Sequence, residues 1–253
     1  MFPKKKKKAR SLRSVQRLPG QSLRDEKERL IDNYLTLFCW GTAMLWALWA
    51  LEEFHAVTNR PPQPRLLLFL AVAASGVCII VFSRLFRAFR RLNRGERGEL
   101  RVAEVLDDLR ASGYRAFHDL VRDGFNIDHV VVGPAGVFAV ETKFRSGQGE
   151  ITFRNGEGLF VGGVPEEKDS LKQARANAAE VNRIIKDNCN FDEWVWPLVV
   201  FVGDWRVKND WQTTDARVFT PDKLVTHIVD QQPRLTSREI ELIASHLERS
   251  AKS

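Results

Sequence analysis

Asp128, Glu141 and Lys143 are the residues whose types and spacing could do chemistry. Asp128 precedes and Glu141 follows a stretch in which Val130–Val132 and Val137–Val140 flank Gly133-Pro134-Ala135-Gly136. Gly and Pro between two apolar, β-branched runs predict a tight turn joining antiparallel strands. With those four residues as the turn, Val132 faces Val137, Val130 faces Ala139, and Asp128 faces Glu141. Side chains directly opposite one another have Cβ atoms about 4.5–5.5 Å apart, and period-2 alternation adds Lys143 to the same face. Two carboxylates this close raise one pKa and share a proton, or recruit a cation. An all-oxygen pair without a His or Cys cluster suits a hard ion such as Mg²⁺ or Mn²⁺. An Asp–Lys–Glu ion-pair network at a strand end would gather the same residues without any reaction.

The elements that must position these groups follow from the pattern around them. Val130, Val132, Val137 and Ala139 on one face, with Ile127, Val131, Phe138 and Val140 on the other, predict a hairpin buried on both sides in an α/β sandwich. His129 points away from Asp128 and reads as a packing or supporting residue. Upstream, Gly95 opens a helix on which Glu99, Val102, Leu106 and Leu109 form one stripe. A carboxylate there is also a favourable charge in a helix's first turn, and Glu96 stands one turn earlier. Tyr114–Asp119 predicts a first strand and Val121–Phe125 a loop. Downstream, Gly147-Gln148-Gly149 turns the chain into strands at Glu150–Arg154 and Leu159–Val161, around Asn155-Gly156. Asp169 caps a helix reaching about Asp187, with Ala174, Ala178, Val181 and Ile185 packed and Gln173, Asn177 and Glu180 along one side. Trp196–Val202 and Ala216–Phe219 read as strands and Pro221–Val229 as a helix. Thr236-Ser237-Arg238-Glu239 is a capping box opening a last helix through Leu247.

Asp128, a hairpin, then Glu141-Thr142-Lys143 resembles the core signature of the PD-(D/E)XK nuclease superfamily. The fuller string resembles the nuclease-related domain, NERD, from about Gly95 to Val202. It comprises Gly95-Glu96-Arg97-Gly98-Glu99, Asn126-Ile127-Asp128-His129, Gly133-Pro134-Ala135-Gly136, Val140-Glu141-Thr142-Lys143, Gln173-Ala174 and Asn177-Ala178. The resemblance implies an α/β fold, a restriction-endonuclease-like sandwich of a central mixed sheet flanked by helices, here preceded by two transmembrane helices. It also implies a metal-dependent nuclease. Asp128, Glu141 and Glu99 would hold Mg²⁺ or Mn²⁺, Lys143 would orient the attacking water or steady phosphate charge, and Gln173 would orient water or phosphate. Arg145 and Lys172 are the candidates for substrate contact, with Arg154, Lys168 and Arg175 nearby. DNA is the first expected substrate, ahead of RNA. The alternative is a catalytically inactive NERD module that binds nucleic acid or a protein partner at the membrane.

The formal charge of +7 is unevenly spread. Residues 1–33 carry 11 Lys/Arg against 4 Asp/Glu, and residues 84–94 add five Arg with no acid. From Gly95 onward 21 basic residues meet 26 acidic ones. The basicity is therefore no footprint for nucleic acid over the whole domain. Cys39, Cys78 and Cys189 share no Cys-x-x-Cys or Cys/His spacing, so no zinc ribbon or disulfide framework is legible. Cys39 and Cys78, inside apolar runs, are expected to be buried.

Asn33 to Leu51 and Leu66 to Ser83 run 19 and 18 residues without a charge, near the roughly 20 that cross a hydrocarbon core. They predict a transmembrane hairpin over 34–83, with helices at about 34–51 and 66–83. The leader, 1–33, would lay Lys4–Lys8 against anionic lipid headgroups. Residues 84–94, with Arg84, Arg87, Arg90, Arg91 and Arg94 among Leu85, Phe86 and Phe89, predict a helix along the membrane surface. Residues 95–253 form the soluble domain. The positive-inside rule puts both termini and that domain in the cytoplasm, in a multi-pass protein of the cell (inner) membrane, with Pro61-Pro62-Gln63-Pro64 outside. The leader's length and the lack of an Ala-x-Ala ending disfavour a cleaved signal peptide.

Overall fold

The computed structural model describes residues 17–58, 64–122, 125–154, 157–208 and 215–250. They divide into a helical unit, residues 20–100, and an α/β unit of residues 17–19 with 101–250. The expectations for Lys4–Lys8, Pro61-Pro62-Gln63 and Asn155-Gly156 lie outside the described residues.

Two helices supply the first unit, α1 (Gln21–Val57) and α2 (Pro64–Asp107). α2 corrects the expected organisation. The second apolar run, the basic stretch 84–94 and the helix expected to open at Gly95 are one continuous 44-residue helix. No proline interrupts it beyond Pro64, and its three interior glycines, Gly76, Gly95 and Gly98, cost only about 1 kcal/mol each. Gly95 serves close approach instead: a Cβ there would lie 3.1 Å from Leu23 Cδ1. Beside it Arg24 Nε donates to Glu96 Oε1 at 2.6 Å and Lys27 pairs with the other Glu96 oxygen. Along the uncharged runs, Phe38, Trp40, Trp46 and Trp49 of α1 and Phe69, Val72, Ile79 and Phe82 of α2 are bare. Cys39 and Cys78, expected to be buried, are exposed among them, because a lone hairpin offers no second layer. Both helices are long and apolar enough to cross a membrane. At 1.5 Å per residue α1 is about 55 Å long, against a hydrocarbon core of about 30 Å, so a spanning α1 must project beyond it.

The α/β unit is built on a seven-stranded mixed sheet. β1 (Arg115–Arg122), β2 (Phe125–Gly133), β3 (Gly136–Arg154), β4 (Gly158–Val161) and β5 (Val164–Pro165) run antiparallel in that order. β6 (Val195–Val207) lies parallel to β3, and β7 (Arg217–Phe219) parallel to β6. A parallel pair needs a crossover, which α3 (Ser170–Cys189) supplies between β3 and β6. α4 (Pro221–Val229) and α5 (Ser237–Ser250) complete the fold. Helices cover both sides. α3 and α5 pack Val181, Ile185, Ile243 and Leu247 on Val130, Val132, Val137 and Ala139. The end of α2 and α4 pack Val102, Leu106, Leu224 and Ile228 on Val131, Phe138, Val140 and Leu198.

The central hairpin has the expected register, His129 with Val140, Val130 with Ala139 and Val132 with Val137. Gly133 is required in that turn, since a Cβ would sit 2.0 Å from the Tyr114 ring. Three local expectations change. Val121 and Phe125 belong to strands rather than a loop, and Glu150–Arg154 is the far end of the 19-residue β3. Ile127 joins the cluster under α3 and α5 instead of the Val131 side. Asp119, opposite Asp128 on β1, has φ 52°, and this left-handed residue breaks the strict alternation there.

Candidate functional site

β3 carries the site because its two halves have different neighbours. As far as Val140 it pairs with both β2 and β6, but the described β2 pairing ends at His129–Val140 while β6 continues alongside. Between Val140 and Ile151, where β4 takes up the pairing, that edge of β3 is open among the described residues. Glu141 and Lys143 register with Val199 and Phe201 of β6, which face α3. The two side chains therefore share the α3 face, as the alternation predicts.

On that face a hydrogen-bonded chain forms. Lys143 Nζ donates to Glu141 Oε1 at 2.5 Å and to Gln173 Oε1 at 2.9 Å. Asn177 Nδ2 donates to Glu141 Oε2 at 2.8 Å. Gln173 and Asn177 sit one helical turn apart, so one side of α3 supplies both amides. The helix start is fixed twice: Asp169 accepts from the Lys172 backbone N–H, and Glu166 accepts from both the N–H and hydroxyl of Ser170. The Glu141 side chain is only 3% exposed. Burial pushes its carboxyl above the ordinary glutamate value, Lys143 and Asn177 pull it back, and nearby Glu166 adds to the rise. A buried carboxyl with these partners is responsive to any added positive charge.

Asp128 reaches the same peptide from the open edge. Its Oδ2 accepts from the Thr142 backbone N–H at 2.7 Å. The expected side-chain pairing of Asp128 directly across from Glu141 lies beyond the paired stretch; the carboxylate replaces the next acceptor of the ladder. A strand residue directs its N–H and C=O to the same neighbour, so the Thr142 carbonyl faces this edge as well. The oxygen donors of Asp128, Glu141 and Thr142 suit a hard cation of the Mg²⁺ type, which keeps several waters and needs one or two carboxylates. Among the described residues, no group of three or more His, Cys, Asp and Glu side chains converges to hold a metal. Glu99 is 9% exposed, on α2 in the helical unit.

The remaining candidates divide. Arg145 is committed to Glu166, 3.3 Å away, and its carbonyl accepts from Trp205 Nε1 at 3.0 Å. Lys172 is exposed on α3. His129, on the opposite face as expected, meets His118 with Nδ1 atoms 2.8 Å apart. Asn177 was legible as a polar residue beside Gln173 and as part of the Asn177-Ala178 string, but nothing local in the sequence assigned it to Glu141. Glu166, likewise, carried no signal before the fold brought it near. A cavity of about 380 Å³ farther along α3 is lined by Arg175, Asn182, Asp192, Trp194 and Asp215; of the basic residues expected near substrate only Arg175 is among them, and none of Asp128, Glu141, Lys143 or Gln173 is.

Residues 94–202 match the model of a family described as a nuclease-related domain. Neither a curated protein nor a solved structure matches the chain.

Proposed function

Since the chain carries a nuclease-related domain, NERD, over residues 94–202, we propose that it is a membrane-anchored, divalent-metal-dependent nuclease. Its substrate would be nucleic acid, DNA before RNA, cleaved on the cytoplasmic side. The observation that carries this reading is the buried Glu141 carboxylate, held between Lys143 and Asn177 at the strand edge where Asp128 meets Thr142. A desolvated carboxylate beside an ammonium is an arrangement that gains from a bound hard cation and a phosphate.

Asp128 and Glu141 would hold Mg²⁺ or Mn²⁺, with the Thr142 carbonyl as a further oxygen. The bound ion would supply charge on a phosphate oxygen and a more acidic water. Lys143 Nζ would donate to that water or to a phosphate oxygen, a task suited to a compact ammonium on a flexible stem. Gln173 would orient Lys143 and the attacking water. Lys172, and Arg145 where it is not held by Glu166, would contact the backbone. The basic leader and the arginines of 84–94 would hold the membrane-proximal ends against anionic lipid in the cell (inner) membrane, with both termini inside.

The full chain in detergent, incubated with plasmid, single-stranded DNA or RNA and Mg²⁺ or Mn²⁺, tests the reading. Cleavage should require metal and disappear in Asp128→Ala and Lys143→Ala; cleavage that survives both substitutions overturns it. A second reading, a catalytically inactive module binding nucleic acid or a protein partner, is favoured by the excess of acidic over basic residues from Gly95 onward. Retained binding without cleavage under either metal would select it. A reporter fused after Ser253 should behave as cytoplasmic, and its export would reverse the proposed orientation.

A further inference from the structure

The two oxygens of Glu141 have unlike partners. Asn177, 2% exposed, holds Oε2 from within α3, between the buried Ala174 and Ala178. Its short side chain and packed helix leave it little freedom to move. Lys143 holds Oε1 from the end of a four-carbon stem, is 14% exposed, and already donates to Gln173. One donor is fixed; the other has two stations.

We infer that Glu141 Oε1 is an exchangeable position, taken by Lys143 Nζ at rest and by a divalent cation on loading, and that Asn177 keeps Glu141 bound through that one oxygen. This rests on the cation reading above. An ammonium and a divalent ion at one buried oxygen repel strongly at low effective dielectric, so the ammonium leaves as the cation arrives. Gln173 Oε1 is a neutral acceptor and receives it without a new charge conflict. The exchange also gives the lysine its direction of travel, out of the buried pair and towards the more exposed α3 start. Asn177 is a positioning residue acting through Glu141. With Oε2 engaged, the carboxylate presents a single oxygen, and a second metal contact to Glu141 is blocked.

Mn²⁺ titration of the full chain in detergent, read by the electron paramagnetic resonance of free Mn²⁺, tests the exchange. Lys143→Met keeps the stem and removes the competing charge, so it should bind Mn²⁺ tighter, by about tenfold or more, while Asp128→Asn weakens binding. Mg²⁺-induced infrared difference spectra test Asn177, with the Glu141 bands identified by their loss in Glu141→Gln. In Asn177→Ala the separation between antisymmetric and symmetric carboxylate stretches should narrow as both oxygens turn to the ion, a change that loosened packing alone would not produce. Should either variant fail to fold, Lys143→Gln and Asn177→Ser replace them. Unchanged or weaker Mn²⁺ binding in Lys143→Met, with Asp128→Asn still impaired, overturns the exchange and leaves the cation reading standing. An unchanged band separation in Asn177→Ala overturns the role of Asn177. No Mn²⁺ binding in any form removes the cation reading and this inference together.

Discussion

On the α3 face of β3, a buried carboxylate is surrounded by an ammonium and two amides; on the opposite face of β2, two buried imidazoles meet each other. Glu141 has a partner for each oxygen, whereas the His118–His129 pair shares one contact and leaves His129 Nε2 without a hydrogen bond. Both clusters are polar groups placed in a hydrophobic layer, where an unmade hydrogen bond costs about 1–3 kcal/mol. They solve the problem differently. The α3 face matches its carboxyl with donors and carries the Lys143 ammonium, 14% exposed, towards solvent. The other face keeps no charge: burial holds both imidazoles below the ordinary histidine value. Charge retained despite burial points to chemistry, and charge given up points to packing.

The largest expected effect breaks the comparison at its charged side. Asp128→Ala, Glu141→Gln or Lys143→Ala should each lower metal-dependent cleavage by about 10²-fold or more, while His129→Gln, on the packing face, should lower it far less. Comparable losses from His129→Gln and Lys143→Ala, measured as initial rates on plasmid, would erase the distinction between the faces.

The next effect is a pair of opposed pH dependences. Glu141 has a folded pKa raised above its ordinary 4.5, so between those two values the unfolded chain binds fewer protons and stability falls as pH rises. The histidines are the reverse. With folded pKa values below the ordinary 6.5, the unfolded chain binds more protons beneath that pH, and stability is lost as pH falls. Each imidazole contributes a slope of about 1.4 kcal/mol per pH unit inside its window, with Asp107 opposing and Arg110 reinforcing the shift at His118. Denaturant unfolding in detergent should show Glu141→Gln losing the decline with rising pH. His118→Phe combined with His129→Leu should lose the sensitivity to acid. Either substitution altering the other's window would mean the two clusters are coupled through β2 and β3.

Much of this was readable from local chemistry. Gly133-Pro134-Ala135-Gly136 and the β-branched runs beside it determine the hairpin register, and Asp169 and Thr236 mark helix starts with their own side chains: Glu239 accepts from the Thr236 N–H and hydroxyl. The misses are tertiary. Asp119 adopts a left-handed backbone that no residue-type preference dictates, and with it Ile127 changes sides. Helix propensity outlasts Gly95, so α2 runs on where a boundary was expected. Asn177 and Glu166 matter because α3 crosses back over β3, and the distance between residues 141 and 177 in space is set by the whole crossover.

The smallest effect sharpens the comparison at the surface. Lys172 is exposed near the start of α3, the end that carries Gln173 and Asn177, whereas Arg110, also exposed, is paired with Asp107 on the helical turn beside the histidine face. If the α3 side meets the nucleic-acid backbone, Lys172→Ala should weaken binding several-fold for all sequences and reduce the salt slope by about one. Arg110→Ala should leave both quantities unchanged, since its charge lies on the packing side. Arg145→Ala is a harder case. Its guanidinium holds Glu166, which also caps α3 through Ser170, so substitution there releases a buried carboxylate beside Glu141 as well as removing a basic group. A salt slope lowered equally by Lys172→Ala and Arg110→Ala would show that the backbone is met without regard to face, and charge kept under burial would then say nothing about where substrate lies.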